Sequence, residues 1–237
     1  MSWHSGNRSD GIMRLPSLTL HCKVFYMNPN WAEENLQTIR TLMERSAVYR
    51  RALAPIMLFV GFVGVLAAII GYEFHYDSLR AFGELWLCAA LVAVTGAFAI
   101  ARRQALKDRE PFWSAPTRRV AQALCPPLVA GMCFGLVFLV PSVKDEFILL
   151  LVVLWLFFYG CAIHAAGFFM PSGVKILAWF FIVGASGLLI GMSPLVNVED
   201  VMKINLNAHC LMGFFFGILH LACGAYLYLT EKRKNAA

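Results

Sequence analysis

The sequence predicts an all-α membrane protein in which an N-terminal amphipathic helix precedes six transmembrane helices. Hydrophobic residues make up 59% of the 237 residues even before glycine is counted, and charged residues make up 14%. Soluble domains reach only about 45–50% apolar residues with glycine included, so this composition excludes a soluble fold, a disordered chain and a disulfide scaffold. Two further observations support this prediction. The chain has six long apolar runs, and its basic residues are concentrated in the segments on one side of the predicted membrane.

Six stretches are long enough for a membrane helix, which needs about 20 apolar residues at a rise of about 1.5 Å each. They are residues 52–71, 82–101, 120–140, 147–166, 174–192 and 211–229. Their apolar residues are continuous, whereas the strands of a membrane barrel would alternate. The predicted transmembrane domain therefore covers residues 52–230, and residues 231–237 form a basic tail.

The basic residues predict the orientation. With a cytoplasmic N-terminus, 17 of the 20 lie on the cytoplasmic side, and the other side holds Arg80, Lys144 and Lys203. This asymmetry follows the positive-inside rule and, with an even number of spans, predicts that both termini are cytoplasmic. The basic clusters are then explained by topology and the lipid bilayer, so a nucleic-acid partner is not expected.

The first 51 residues divide into two parts. Residues 1–26 show no regular period, which predicts an unstructured or mis-annotated leader, with Met27 as the natural start. From residue 27 to 51, apolar residues fall near helical spacing, with Glu33 and Glu34 early and arginines late. This pattern matches the helix dipole and predicts an amphipathic helix on the cytoplasmic membrane surface.

The polar residues inside the spans give the candidate site. No Asp, Glu, Lys or Arg lies near a span centre, which disfavours an ion-coupled pump. The sixth span carries a glycine–histidine stripe at helical spacing, which we expect either to pack against the fourth and fifth spans or to bind a ligand. The stripe consists of His209, Gly213, Gly217, His220 and Gly224, and His164 in the fourth span is its expected inter-helix partner.

No cofactor or metal is predicted. His164 and His220 would differ in depth by about 12 Å at helical rise, so one haem iron could not easily use both. The seven cysteines include no Cys-x-x-Cys pair, so neither a zinc site nor a disulfide framework is expected. We predict no catalytic residues, and this favours a non-enzymatic function over an enzymatic one.

Two segments are similar to a known group of proteins. Residues 36–51, from Leu36 through Arg51, and the loop from Glu110 to Arg119 both resemble uncharacterised bacterial six-span inner-membrane proteins. The resemblance implies a location in the bacterial inner membrane and no known activity.

These observations leave three functional hypotheses. The first is a regulatory or accessory subunit that acts through a cytoplasmic or membrane protein partner. The second is a small-molecule binding or transport component with a cavity near the third and sixth spans, since Pro126 and Pro127 predict a kink in the third span. The third is an intramembrane enzyme.

Overall fold

A computed structural model describes residues 52–109, 111–192 and 207–236 of the chain. These ranges contain six helices that are long and apolar enough to cross a membrane, which confirms the all-α multi-pass architecture. The predicted leader 1–26, the amphipathic helix 27–51 and most of the loop 193–210 lie outside the described residues.

The helices begin and end close to the predicted spans. They are α1 (Ala52–Glu73), α2 (Leu79–Lys107), α3 (Ala115–Phe138), α4 (Ile148–Ala166) and α5 (Ser172–Gly191). Short 3₁₀ turns, Asp145–Phe147 and Gly167–Phe169, flank α4. The last helix, α6, consists of Ala208–Met212, a π-helical segment Gly213–Ile218, and Leu219–Ala236.

Two helices are longer than their apolar runs. α2 continues to Lys107, past the predicted end at residue 101. α6 continues to Ala236, so the predicted basic tail begins as helix. Polar and charged residues are compatible with helix wherever the helix leaves the apolar layer, so hydrophobicity alone underestimates helix length.

α3 runs through its two internal prolines without a break. It begins at Ala115 with Pro116 in its first turn, and it continues past Pro126 and Pro127 to Phe138. Proline suits the first turn of a helix because the missing N–H has no partner there. The start predicted for this span, at residue 120, is therefore too late.

Two side chains cap the first turn of α2, at the end of the bundle where α1 connects to α2. The Ser78 hydroxyl accepts a hydrogen bond from the backbone N–H of Ala81, which caps α2. Asp145, in the turn before α4, accepts a hydrogen bond from the N–H of Leu79 at 2.7 Å. The same carboxylate thus satisfies a free N–H group of α2 and ties that helix to the α3–α4 connection.

The buried core lies where α1, α4, α5 and α6 meet the first turns of α2. α4 packs against both α3 and α5, and α5 also contacts α6. The second half of α2 is largely exposed, and its contact with α1 is made where Gly96 meets Phe59. The fully buried large side chains include Leu79, Phe82, Leu151, Leu156, Val174, Phe181, Met212, His209 and His220.

The two ends of the bundle differ in charge. The basic end holds the α2–α3 loop, the α4–α5 turn and the end of α6, and its described cationic side chains are Arg102, Arg103, Lys107, Arg109, Arg118, Arg119 and Lys175. Most of the carboxylates whose side chains are described lie at the opposite end, namely Glu73, Asp77, Glu84, Asp145 and Glu146.

Candidate functional site

The glycine–histidine stripe of α6 packs against α1. A Cβ atom added at Gly213 would lie 2.5 Å from the Ala68 side chain, and one added at Gly217 would lie 2.7 Å from the Val65 side chain and 3.0 Å from its backbone nitrogen. Such distances leave no room for a side chain. The small residues therefore allow close contact between two helices, which is the usual role of such stripes in membranes.

Glycines of α1 form the other half of this interface. A Cβ atom at Gly64 would lie 2.6 Å from the carbonyl carbon and oxygen of Phe216, and one at Gly61 would lie 2.7 Å from the backbone nitrogen of Leu221. Gly224 faces Leu58 in the same way. The backbones of the two helices are thus in close contact over about two turns, from Leu58 to Val65 and from Phe216 to Gly224.

The glycines of the stripe therefore pack against α1 and not against the fourth and fifth spans, whereas His220 of the same stripe bonds to Tyr159 of α4. The glycines of those two spans make other contacts: Gly160 of α4 faces Phe181 and Ile182 of α5, and Gly184 of α5 faces the ring of Phe215. The spacing of Gly61 and Gly64 was visible in the sequence, and it is the signal that could have identified α1.

His209 lies at the start of the stripe and is buried. Trp86 donates its indole N–H to Nδ1 of His209 at 3.3 Å, and Nε2 of His209 lies 3.1 Å from the carbonyl oxygen of Tyr76. An indole N–H can only donate and a carbonyl can only accept, so the ring carries its proton on Nε2 and donates it to Tyr76. Both ring nitrogens of His209 are used within the protein.

His220 is fully buried about three turns further along α6. Its Nδ1 lies 3.2 Å from the carbonyl oxygen of Phe215, and its Nε2 lies 2.6 Å from the hydroxyl of Tyr159 on α4. In the neutral ring, Nδ1 therefore donates to Phe215 and Nε2 accepts from the Tyr159 hydroxyl. The two histidines of the stripe carry their protons on different nitrogens, and both are fully hydrogen-bonded.

An aromatic shell surrounds the Tyr159–His220 pair. The rings of Phe181 and Phe216 lie 4.9 and 4.8 Å from the ring of Tyr159, and Phe216 is parallel to the imidazole of His220. Phe216 also contacts Trp86, the partner of His209. The two histidine sites are thus joined through packed rings, which exclude water from both.

The π-helical segment Gly213–Ile218 lies between the two histidines. In a π-helix each backbone N–H bonds to the carbonyl five residues earlier, whereas in an α-helix it bonds to the carbonyl four residues earlier. Carbonyl groups in or beside a π-helical segment therefore do not all keep their α-helical partners. His220 supplies a partner for one of them, because its side chain donates to Phe215, five residues before it.

His164 lies away from the stripe. Its ring packs edge-on against Phe168 and Trp179 near the basic end of α4, at 5.6 and 5.4 Å between ring centres. The inter-helix partner of His220 is Tyr159 instead, which lies on α4 before His164. Tyr159 and Trp86 are the residues that sequence reasoning missed, since neither spacing nor charge distinguishes them from other aromatic residues in the spans.

The described residues contain no group of three or more His, Cys, Asp or Glu side chains placed to hold a metal ion. Every buried side-chain nitrogen and oxygen among them has a hydrogen-bond partner. In this arrangement His209 and His220 cross-link helices, and neither presents a free ring donor or acceptor to a ligand.

Comparisons of the chain with protein-family models, with curated proteins and with solved structures found no match.

Proposed function

We propose that the chain is a non-enzymatic regulatory or accessory subunit that acts through a cytoplasmic or membrane protein partner. The observation that carries the proposal is the complete hydrogen bonding of His209 and His220, the two buried polar side chains of the spans. Polar residues inside a membrane often mark a pathway or a reaction centre. Here their donors and acceptors hold helices together, which leaves the exposed surface as the part that can act.

The basic end supports the proposal because it offers the charged surface that a partner would recognise. Exposed arginines flank Trp113 in the chain: Arg109 lies in the loop between α2 and α3, and Arg118 and Arg119 lie in the first turns of α3. The ring of Phe112 packs on Phe98 at 4.8 Å, which fixes the loop against α2. Complementary charge increases both the rate and the specificity of association.

We further propose that the protein lies in the bacterial inner membrane with both termini in the cytoplasm. The separation of charge between the two ends of the bundle supports this orientation through the positive-inside rule. The location is what the resemblance of residues 36–51 and of the loop 110–119 to uncharacterised bacterial six-span inner-membrane proteins implies.

Cross-linking in native membranes tests whether a partner binds at the basic end. A tagged chain at native abundance, treated with an amine-reactive cross-linker, should yield one reproducible partner linked through Lys107, which is exposed at the basic end. Replacing Arg102, Arg103 and Arg109 with glutamine should reduce the yield. Lys144, exposed at the opposite end, is the matched control site, and Lys144→Gln should leave the yield unchanged.

The result that would contradict the proposal is a chain that purifies alone and retains a small molecule in native mass spectrometry. That result would favour the binding or transport hypothesis. The packing of α3 supports that hypothesis less well, because Gly131 and Gly135 of α3 lie against the Trp155 and Phe158 side chains of α4, and Trp155 donates a hydrogen bond to the Gly131 carbonyl.

A further inference from the structure

The turn between α4 and α5 presents a cation on an aromatic ring. The aliphatic part of Lys175 packs against Gly167, where a Cβ atom would lie 2.8 Å from Cγ of the lysine. This contact directs the ammonium group over the ring of Phe168, with Nζ 4.3 Å from the ring centre. The lysine is therefore held at the turn by contacts on both its stem and its charged group.

His164 lies beside the same ring. It contacts Phe168 and Trp179 edge-on, and within the described ranges no protein group forms a hydrogen bond with its imidazole. This environment differs from those of His209 and His220, whose ring nitrogens all have protein partners. An N–H donor of His164 and the ammonium of Lys175 thus flank one exposed ring.

The surroundings of this corner are positively charged. α3 contacts the Gly167–Phe169 turn, and Arg118 and Arg119 lie exposed in the first turns of α3 at the same end of the bundle. Of the carboxylates whose side chains are described, Asp108 alone lies at the basic end, where it accepts a hydrogen bond from Gln104. An anion would meet little repulsion here.

Exposed apolar side chains continue from this corner along α5. Phe168 is 67% exposed and Trp179 is 54% exposed, and Ile176 and Phe180 follow on the exposed surface of the same helix. A ligand that binds both the cationic corner and the exposed apolar surface of α5 needs an anionic head and an apolar tail. A phospholipid has both, and a soluble phosphate lacks the tail.

We propose that this corner binds the phosphate headgroup of an anionic phospholipid. Lys175 pairs with the phosphate, His164 donates a hydrogen bond to it, and the acyl chains lie along Trp179 and Phe180. Basic sites between membrane helices at the cytoplasmic side are a known way to bind anionic headgroups.

Native mass spectrometry of the full chain in detergent tests the proposal, with phosphatidylglycerol and phosphatidylcholine of identical acyl chains as probes. The first phosphatidylglycerol should bind more tightly than the first phosphatidylcholine. Lys175→Gln should weaken the first phosphatidylglycerol by about five-fold, the usual value of one lysine near an anionic surface. His164→Phe, which keeps an aromatic ring and removes the donor, should weaken it by about three-fold.

Three controls make the test specific. Lys175→Arg keeps the cation and should retain the preference, whereas Lys144→Gln removes an exposed cation at the opposite end and should have no effect. The melting temperature of Lys175→Gln in lipid-free detergent should equal that of the original chain, which excludes a folding defect. If inorganic phosphate displaces the lipid, the site binds a soluble anion and the proposal is wrong. It is also wrong if Lys175→Gln and Lys144→Gln weaken binding equally, or if the two lipids bind alike.

Discussion

The close contact between α1 and α6 predicts that one added methyl group at Gly64 will destabilise the bundle. The Cβ atom of Gly64→Ala would lie 2.6 Å from both the carbonyl carbon and the carbonyl oxygen of Phe216, and 2.8 Å from the nitrogen of Gly217. All three are backbone atoms, so no side chain can rotate away. An ordinary contact begins at about 3.4 Å, so the helices must separate by roughly 0.8 Å.

The expected cost follows from that separation. A gap of about 0.5–1 Å removes a quarter to a half of the dispersion energy of each contact along the interface. Overpacking of this kind typically costs about 1–3 kcal/mol. For a chain of this size, that loss should lower the melting temperature by about 2–12 °C.

Thermal unfolding of the purified protein in mild detergent measures this effect, and Gly187→Ala is the matched control. Gly187 lies on α5 with no heavy atom within 4 Å of its added Cβ, so the same methyl group meets open space. The control should be neutral or more stable by up to about 1 kcal/mol, because alanine favours helix over glycine. Equal melting temperatures for Gly64→Ala and Gly187→Ala would refute the α1–α6 interface.

Three further predictions address the stripe and the topology. Gly217→Leu should lower the melting temperature more than Gly64→Ala does, because it forces a whole side chain onto Val65, while Ile218→Leu, at a position 54% exposed, should be tolerated in the same assay. Tyr159→Phe, which removes only the hydroxyl bonded to the buried imidazole, should cost about 0.6 kcal/mol in an unfolding titration; no change would mean that this bond does not stabilise the fold. On a cysteine-free background, a cysteine at residue 142 should be labelled from outside the cell and one at residue 115 should not, and the reverse result would contradict cytoplasmic termini.

The number and type of the spans could be predicted because they depend on local composition. A run of about 20 apolar residues bounded by charge crosses a membrane whatever its neighbours are. The ends of α2 and α6 could not be placed as well, since helix continues beyond the apolar layer to Lys107 and Ala236. Residues there are polar enough to lie in water and still favour helix.

The partners of the stripe were harder to predict than the stripe itself. Small residues allow a close approach, but they do not specify which helix approaches, and Gly160 and Gly184 were candidates as suitable as Gly64. The choice depends on the full packing of six helices. The hydrogen-bond partners of the histidines were hard to predict for the same reason. Trp86 and His209, for example, lie 123 residues apart in the chain.

α2 and α6 differ in how much of each helix is buried inside the protein. Within their apolar windows, 44% of α6 is buried inside the protein and only 6% of α2 is. Lipid offers no partner for an imidazole, so a span that carries two histidines must be buried deeply enough for protein groups to satisfy them. His209 joins α6 to α2, His220 joins it to α4, and the glycines join it to α1. The polarity of α6 is therefore explained by assembly of the bundle.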